Sequence, residues 1–209
     1  MIPLPNKAAI ALSICLGLIL FAALLFGLNM STSETKQIFE VTLNNKKIGQ
    51  LRIKGSQKDN TNSYLLTSDI KIKFLIPVRV KEEISEIYKK NKLIKSTHYR
   101  KVNGSYEASN HLTLVKNHYR ITDSLTGKTK KIIPSIKWSV LSIYFKEPKG
   151  IHQIYSHNYR KFMKINHQGN HVYYLQISKG KFTKFTYKSG KLILVESPSK
   201  FGTLRFTGQ

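Results

Sequence analysis

Two carboxylates stand where the surrounding pattern calls for apolar side chains. In the stretch Val78 to Tyr88 the residues Val78, Val80, Ile84 and Tyr88 share one face of an extended chain, and Glu82 and Glu86 fall on that same face. Four residues along a strand place them about 13 Å apart. That is wider than the carboxylate spacing of either class of glycosidase, so the pair alone is no hydrolytic site. In the register expected for the next hairpin, Glu86 faces Lys95 and Glu82 faces Tyr99. The plain reading is a cross-strand ion pair plus a carboxylate at the rim or bonded to a phenol, and the sharper one is a polar spot in a ligand cavity. No partner constellation supports catalysis there.

The remaining chemistry is sparse. Seven histidines are present, and His167 and His171 flank a short turn from which they face each other across a hairpin. No Asp or Glu lies close by in sequence, and zinc needs three or four ligands, so exposed turn histidines are the expected outcome. Nucleophile elbow, phosphate loop, metalloprotease helix and dinucleotide fingerprint are all missing, so no catalytic residue, metal or cofactor is assigned. The run Lys179 to Lys188 interleaves bases with aromatics as single-strand nucleic-acid grooves do, but alternation sends Phe182 and Phe185 to opposite faces and leaves no stacking platform. Trp138, the sole tryptophan, completes the ligand-binding set of Glu82, Glu86, Tyr99 and Trp138. It lies among Ile136, Val140, Leu141 and Tyr144, and its indole N–H wants an inward partner such as Glu82 or Tyr99.

The elements that must position these residues read as strands. From Gln37, Phe39, Val41 and Leu43 alternate with polar neighbours, and Asn44-Asn45-Lys46-Lys47 turns the chain into Ile48 to Ser56. In Ser63 to Phe74, Tyr64, Leu66, Ile70, Ile72 and Phe74 share a face; a loop at Leu75 to Pro77 sets Phe74 opposite Val78. Turn signals at Lys90-Asn91-Lys92, Asn103-Gly104, Lys116-Asn117 and Thr126-Gly127-Lys128 separate four further strands. Towards the C-terminus Gln168-Gly169-Asn170, Lys179-Gly180, Ser189-Gly190 and Ser197-Pro198 do the same. Ser135 to Phe145 breaks the pattern with helical spacing, an N-cap serine after Pro134 and a stop at Pro148. The expected fold is therefore all-β with one short helix, a curved antiparallel meander or half-barrel whose open end the helix plugs.

Compartment follows from Ala8 to Leu28, an uncharged apolar stretch of the length that spans a bilayer core of about 30 Å. A signal h-region runs only about 7–15 residues, which favours a retained anchor, while Ser31-Thr32-Ser33 offers the small residues that signal peptidase accepts. The expected organisation is a cytoplasmic N-terminus at 1–7, a transmembrane or signal segment at 8–28, a tether at 29–36 and an exported domain at 37–209. The domain then faces the periplasm from the inner membrane, or is free in the periplasm after cleavage. Cys15, the single cysteine, lies inside the apolar stretch, so the exported part has no disulfide and rests on packing. The net charge of +24 comes from 29 Lys and 6 Arg against 11 acidic residues, spread along the chain. A Lys-dominated surplus in an exported domain points away from nucleic acid and towards a solvated surface, or attraction to anionic lipid headgroups or envelope polymers.

A set of residues in fixed order carries a family resemblance: Ile48-Gly49-x-Leu51, Ser68-Asp69-x-Lys71, Val102-Asn103-Gly104, Ile143-Tyr144-Phe145-x-Glu147-Pro148, Ile154-Tyr155-Ser156, and Tyr187-Lys188-x-Gly190-Lys191-Leu192 with Glu196 and Pro198. The chain from about Phe39 to Phe206 resembles a family of small exported proteins from Gram-negative bacteria, classed as a domain of unknown function. The resemblance implies an envelope β protein and transfers no catalytic residue. In outline the fold is also similar to lipoprotein-carrier half-barrels, at the level of fold alone. The expected function is non-catalytic: binding an apolar or amphipathic ligand, such as a lipid, in the concave face. An accessory subunit in contact with an envelope protein comes second and a hydrolase third.

Overall fold

Burial alternates with sequence from the first strand onward. A computed structural model describes residues 33–73, 76–132 and 134–209. The apolar stretch Ala8 to Leu28 lies outside them, and among the described residues no helix is long and apolar enough to cross a membrane. Strands β1 (Ser33–Leu43), β2 (Lys46–Lys58), β3 (Thr61–Ile72) and β4 (Val78–Lys89) form a meander. It continues through β5 (Lys92–Val102), β6 (Ser105–Val115), β7 (His118–Asp123) and β8 (Thr129–Ile132). A second meander runs β9 (Gln153–Ser156), β10 (Lys161–His167), β11 (Val172–Ser178), β12 (Lys181–Lys188), β13 (Lys191–Ser199) and β14 (Gly202–Gly208). Antiparallel pairing of β1 with β14 joins the two into one sheet of 14 strands.

The order β8-β7-β6-β5-β4-β3-β2-β1-β14-β13-β12-β11-β10-β9 leaves β8 and β9 at opposite ends and unpaired with each other, so the sheet is open. It is also strongly curved. Ile84 of β4 and Met163 of β10, far apart in that order, belong to one buried core with Phe39, Val41, Ile53 and Phe185. Tight turns set the register. Asn44-Asn45, Lys90-Asn91, Asn103-Gly104 and Ser189-Gly190 all have positive φ at both central positions, the left-handed geometry whose twist matches flanking strands.

The connector between the two edges departs from expectation. The helix predicted over Ser135 to Phe145 reduces to a single 3₁₀ turn, Ser142–Tyr144. The backbone groups a helix needs are spent on the sheet: Leu93 N donates to Ile136 O at 2.9 Å, Val140 N to Tyr155 O at 2.9 Å and Tyr155 N to Trp138 O at 2.9 Å. Ser139 and Ser142 then bond to each other's main chain, Ser139 N to Ser142 Oγ at 2.9 Å and Ser142 N to Ser139 Oγ at 3.0 Å. The apolar spacing nevertheless identifies the buried side. Ile136, Leu141, Ile143 and Tyr144 all pack inside the curved sheet, and Tyr144 meets Phe39 edge-on at 5.5 Å.

Four boundaries also shift. The strand predicted from Gln37 begins at Ser33, so the last residues assigned to the tether already pair with β2. Ile72, and not Phe74, stands opposite Val78; the shift of two preserves which face is apolar, and Phe74 lies outside the described residues. Ser197-Pro198 is no turn, because β13 runs through it to Ser199 with Pro198 opposite Thr203. Finally, a bulge between Ile87 and Tyr88 moves β5 by one residue, so Glu82 faces Arg100 and Glu86 faces Ser96. The expected partners, Tyr99 and Lys95, belong to the opposite face of the sheet.

Candidate functional site

Glu82 and Glu86 do point inward, and each has drawn a histidine. Glu82 Oε1 lies 2.9 Å from His98 Nε2 and accepts a hydrogen bond from Arg100 Nη2 at 2.8 Å. His98 is reached diagonally on β5, since its direct cross-strand partner is Ile84. Asn158, in the turn after β9, completes the group: with its amide oriented to satisfy its neighbours, the nitrogen donates to Glu82 Oε1 at 3.1 Å and the oxygen accepts from Arg100 Nη2 at 3.2 Å. Burial alone raises the Glu82 carboxyl, but the His98 hydrogen bond and the Arg100 charge outweigh it and hold the group below the usual carboxylate range.

Two inward positions along the strand, beyond Ile84, Glu86 is buried and accepts a hydrogen bond from Ser139 Oγ of the connector at 2.8 Å. Its other oxygen lies 3.2 Å from His157 Nε2, at an angle outside hydrogen-bond geometry. The rings of His157 and His98 meet edge-on with centroids 6.3 Å apart, so the two Glu–His pairs are contiguous. Tyr64, Tyr88 and Tyr155 surround Glu86, and burial first, then the Glu86 charge, pushes all three phenols up. They therefore remain protonated. The Ser139 hydroxyl donates to Glu86, and His157 faces that carboxylate and not the hydroxyl.

Beside the Glu82 group the curved sheet encloses a cavity of about 300 Å³. Leu66, Ile70, Tyr144, Leu175, Phe185 and Phe206 give it apolar walls, while Glu82, Arg100 and Asn158 form a polar patch on one side. The arrangement is amphipathic, with a carboxylate, a guanidinium and an amide at one end and mainly hydrocarbon elsewhere, interrupted by the Thr183–Ser197 hydroxyl pair on β12 and β13.

The other sequence-predicted residues lie apart from it. Tyr99 pairs with Glu83 and sits in a shallow groove on the outer face with Lys81, Lys101 and Tyr106. Trp138 is half-buried and lines a different cleft, where Lys146 Nζ stands 5.3 Å from its ring centroid. Neither Tyr99 nor Glu82 meets the indole N–H, which corrects the pairing expected above. His171 Nδ1 lies 2.8 Å from Glu147 Oε1, a carboxylate brought in by the connector, whereas His167 packs its ring on Tyr173 at 4.8 Å. Among the described residues no group of three or more His, Cys, Asp or Glu is placed to hold a metal ion. On β12, Phe182 points outward and Phe185 inward, so the basic–aromatic run offers no common stacking face.

His98, Arg100, Ser139, His157 and Asn158 went unnoticed in the sequence. A correct β4–β5 register exposes the first two, because Ser96, His98 and Arg100 then share the inward face with Glu82 and Glu86. The other three lie in the connector and around the end of β9, where periodicity gives no signal.

Residues 39–208 match the family described as Domain of unknown function (DUF6134), and the chain belongs to that family. Among proteins of curated function, none matches the chain. Among solved structures the chain is similar to a "Beta-barrel-like Protein of Domain of Unknown Function DUF1849 from Brucella abortus", at 8% identity and a TM-score of 0.50 over 83% of this chain and 95% of that one. At that identity the likeness is one of fold.

Proposed function

We propose that this member of the DUF6134 family is a non-catalytic binding protein of the Gram-negative envelope, held at the inner membrane by Ala8 to Leu28, that takes an amphipathic ligand into the concave side of its sheet. The observation that carries the reading is the pairing of a mainly apolar cavity of about 300 Å³ with a charged patch at Glu82, Arg100 and Asn158. At about 30 Å³ per water-sized group, the space accommodates on the order of ten heavy atoms of an acyl chain. Arg100 supplies a fixed cation for a carboxylate or phosphate head, and Glu82, kept ionised by His98 and Arg100, holds the guanidinium in place. A protein whose interior served stability alone is better stabilised by hydrocarbon than by buried carboxylates and histidines.

The test is photocrosslinking in cells that express the full chain and are fed a diazirine fatty acid. Crosslinked peptides are expected from β3, β11 and β12, with labelling reduced in Leu175→Trp, which fills the cavity. Glu82→Gln should lower it more than Glu83→Gln, whose side chain lies on the opposite face. Crosslinks confined to residues 8–28, or equal labelling in all three variants, would overturn the reading and move the accessory-subunit alternative to the front.

A further inference from the structure

The interior cavity carries polar groups in a second place, on strands of the other meander. Thr183 of β12 and Ser197 of β13 both line it, on the same inward faces as Phe185 and Val195. Their hydroxyls lie 3.0 Å apart. Each hydroxyl has one proton to give, so the bond between them uses the donor of one residue and leaves the donor of the other without an acceptor among the described residues. A wall that served packing alone would hold valine or alanine at these positions and have no polar group to satisfy. The Glu82 patch is open in the same way. Ser68, Glu82 and Arg100 form one cross-strand row on the inward face, since Ser68 faces Glu82 and Glu82 faces Arg100. Ser68 and, from the end of β9, Ser156 are buried and line the cavity, yet neither hydroxyl has a hydrogen-bond partner among the described residues. Arg100 engages Glu82 and Asn158 through Nη2, which leaves Nη1 for a guest.

These groups suit a guest with two polar points and hydrocarbon between them. At the patch the one cation is already shared with Glu82, so a singly charged carboxylate fits better than a doubly charged phosphate; it accepts from Arg100 Nη1 and from the two serines. A plain acyl chain lying against Thr183 and Ser197 would expel the water that serves their hydroxyls and give nothing back. A hydroxyl on the chain instead accepts the spare proton of the pair and donates its own to one of their lone pairs. We propose that the ligand of this cavity is a hydroxylated fatty acid, with its carboxylate at Arg100, Ser68 and Ser156 and its hydroxyl at Thr183 and Ser197, so that the threonine–serine pair selects for that hydroxyl. The inference rests on the amphipathic-cavity reading and adds the class of ligand to it.

The full chain in phosphatidylcholine nanodiscs is titrated by calorimetry with octanoate, 3-hydroxyoctanoate and 8-hydroxyoctanoate, acids of about ten heavy atoms that match the space, with empty nanodiscs as the blank. At least one hydroxy acid should bind about tenfold tighter than octanoate, the worth of one hydrogen bond, and the better of the two locates the hydroxyl along the chain. In Thr183→Val/Ser197→Ala the three acids should bind within about twofold of one another, while octanoate itself binds as well as before or better, because the wall has become apolar. Thr183→Ser keeps the hydroxyl and should keep the preference, a rescue that a packing role for the threonine methyl does not give. Saturable binding of octanoate that neither hydroxy acid exceeds, or a preference that survives Thr183→Val/Ser197→Ala, would overturn this inference and leave the cavity reading in place. Absence of saturable binding by all three acids would overturn the cavity reading itself, and this inference with it.

Discussion

Tyr119→Phe removes one oxygen atom and tests how the connector is held. Tyr119 is fully buried; its hydroxyl donates to Leu93 O at 2.9 Å and accepts from Ile136 N at 3.1 Å, joining β7, β5 and the connector. Ile136 is itself fully buried, so its amide has no water to turn to. Each buried polar group deprived of a partner costs about 1–3 kcal/mol. Two such groups, partly offset by the more apolar phenylalanine, give a loss of about 2–4 kcal/mol. For a domain of this size each kcal/mol lowers the melting temperature by about 2–4 °C, so the variant should melt roughly 5–15 °C below the parent by circular dichroism. Tyr106→Phe, at a residue half exposed on the outer face, is the control and should change little. Hydrogen exchange gives the local readout, with the Ile136 amide losing protection while the β1–β2 ladder keeps its own. A drop of less than about 1 °C with Ile136 still protected would mean that the connector is held by its apolar residues alone and that the Tyr119 hydroxyl contributes nothing.

Three further outcomes follow. The folded-state pKa values of Glu82 and Glu147 lie below the ordinary range, for Glu147 because hydrogen bonds from His171 and Tyr173 outweigh its burial. Their contribution is therefore complete above the unfolded value of about 4.3 and is lost as pH falls through the folded one; the denaturant midpoint should decline below about pH 4.5, and less steeply in Glu82→Gln/Glu147→Gln. Gly49→Ala would set a Cβ 2.2 Å from Asp69 O and 2.9 Å from Ile70 Cα, both backbone atoms of the adjacent strand. It should destabilise by about 3 kcal/mol or more in urea melts, and a neutral result would contradict the β2–β3 register. If Ala8 to Leu28 is a retained anchor, protein extracted from membranes has the intact mass of the full chain, whereas a soluble periplasmic form beginning near Ser33 or Glu34 would refute anchoring.

What the sequence made legible is what depends on neighbours along the chain. Period-two alternation identifies the inward face of β1, β3 and β4, and Asn-Asn and Asn-Gly pairs announce left-handed turns because few other residues tolerate positive φ there. A bulge leaves no such mark. The extra residue Ile94 on β5, opposite Ile87/Tyr88, inverted the expected partners of Glu82 and Glu86, replacing Tyr99 with Arg100 and hiding His98. The connector failed for a different reason: Ile136, Val140, Leu141 and Tyr144 repeat at helical intervals, but long-range bonds to Leu93 and Tyr155 claim the main chain. Pairing of β1 with β14, and the meeting of Asn158 and His157 with β4 and β5, join residues far apart in sequence, and local pattern carries no trace of them.

The connector also separates the interior cavity from the basic cleft that Trp138 lines at the surface. Within a few residues it turns Val140, Leu141 and Tyr144 to the amphipathic cavity and Lys137, Trp138, Ser142 and Lys146 to the basic cleft. Ser139 sits between these sets, fully buried, and is fixed by Glu86 on one side and by the Ser142 amide on the other. Glu86 is thus the anchor of the partition. It stands four residues from Glu82 of the cavity on the same face of β4 and, through the charge it places beside the phenol, helps keep Tyr88 of the cleft protonated. Replacing Glu86 with an apolar residue would remove a buried carboxylate at some gain in solvation, yet it would strand the Ser139 hydroxyl and free the connector to shift. The buried carboxylate therefore acts on geometry more than on stability, holding one short segment so that its two faces serve two chemically different spaces.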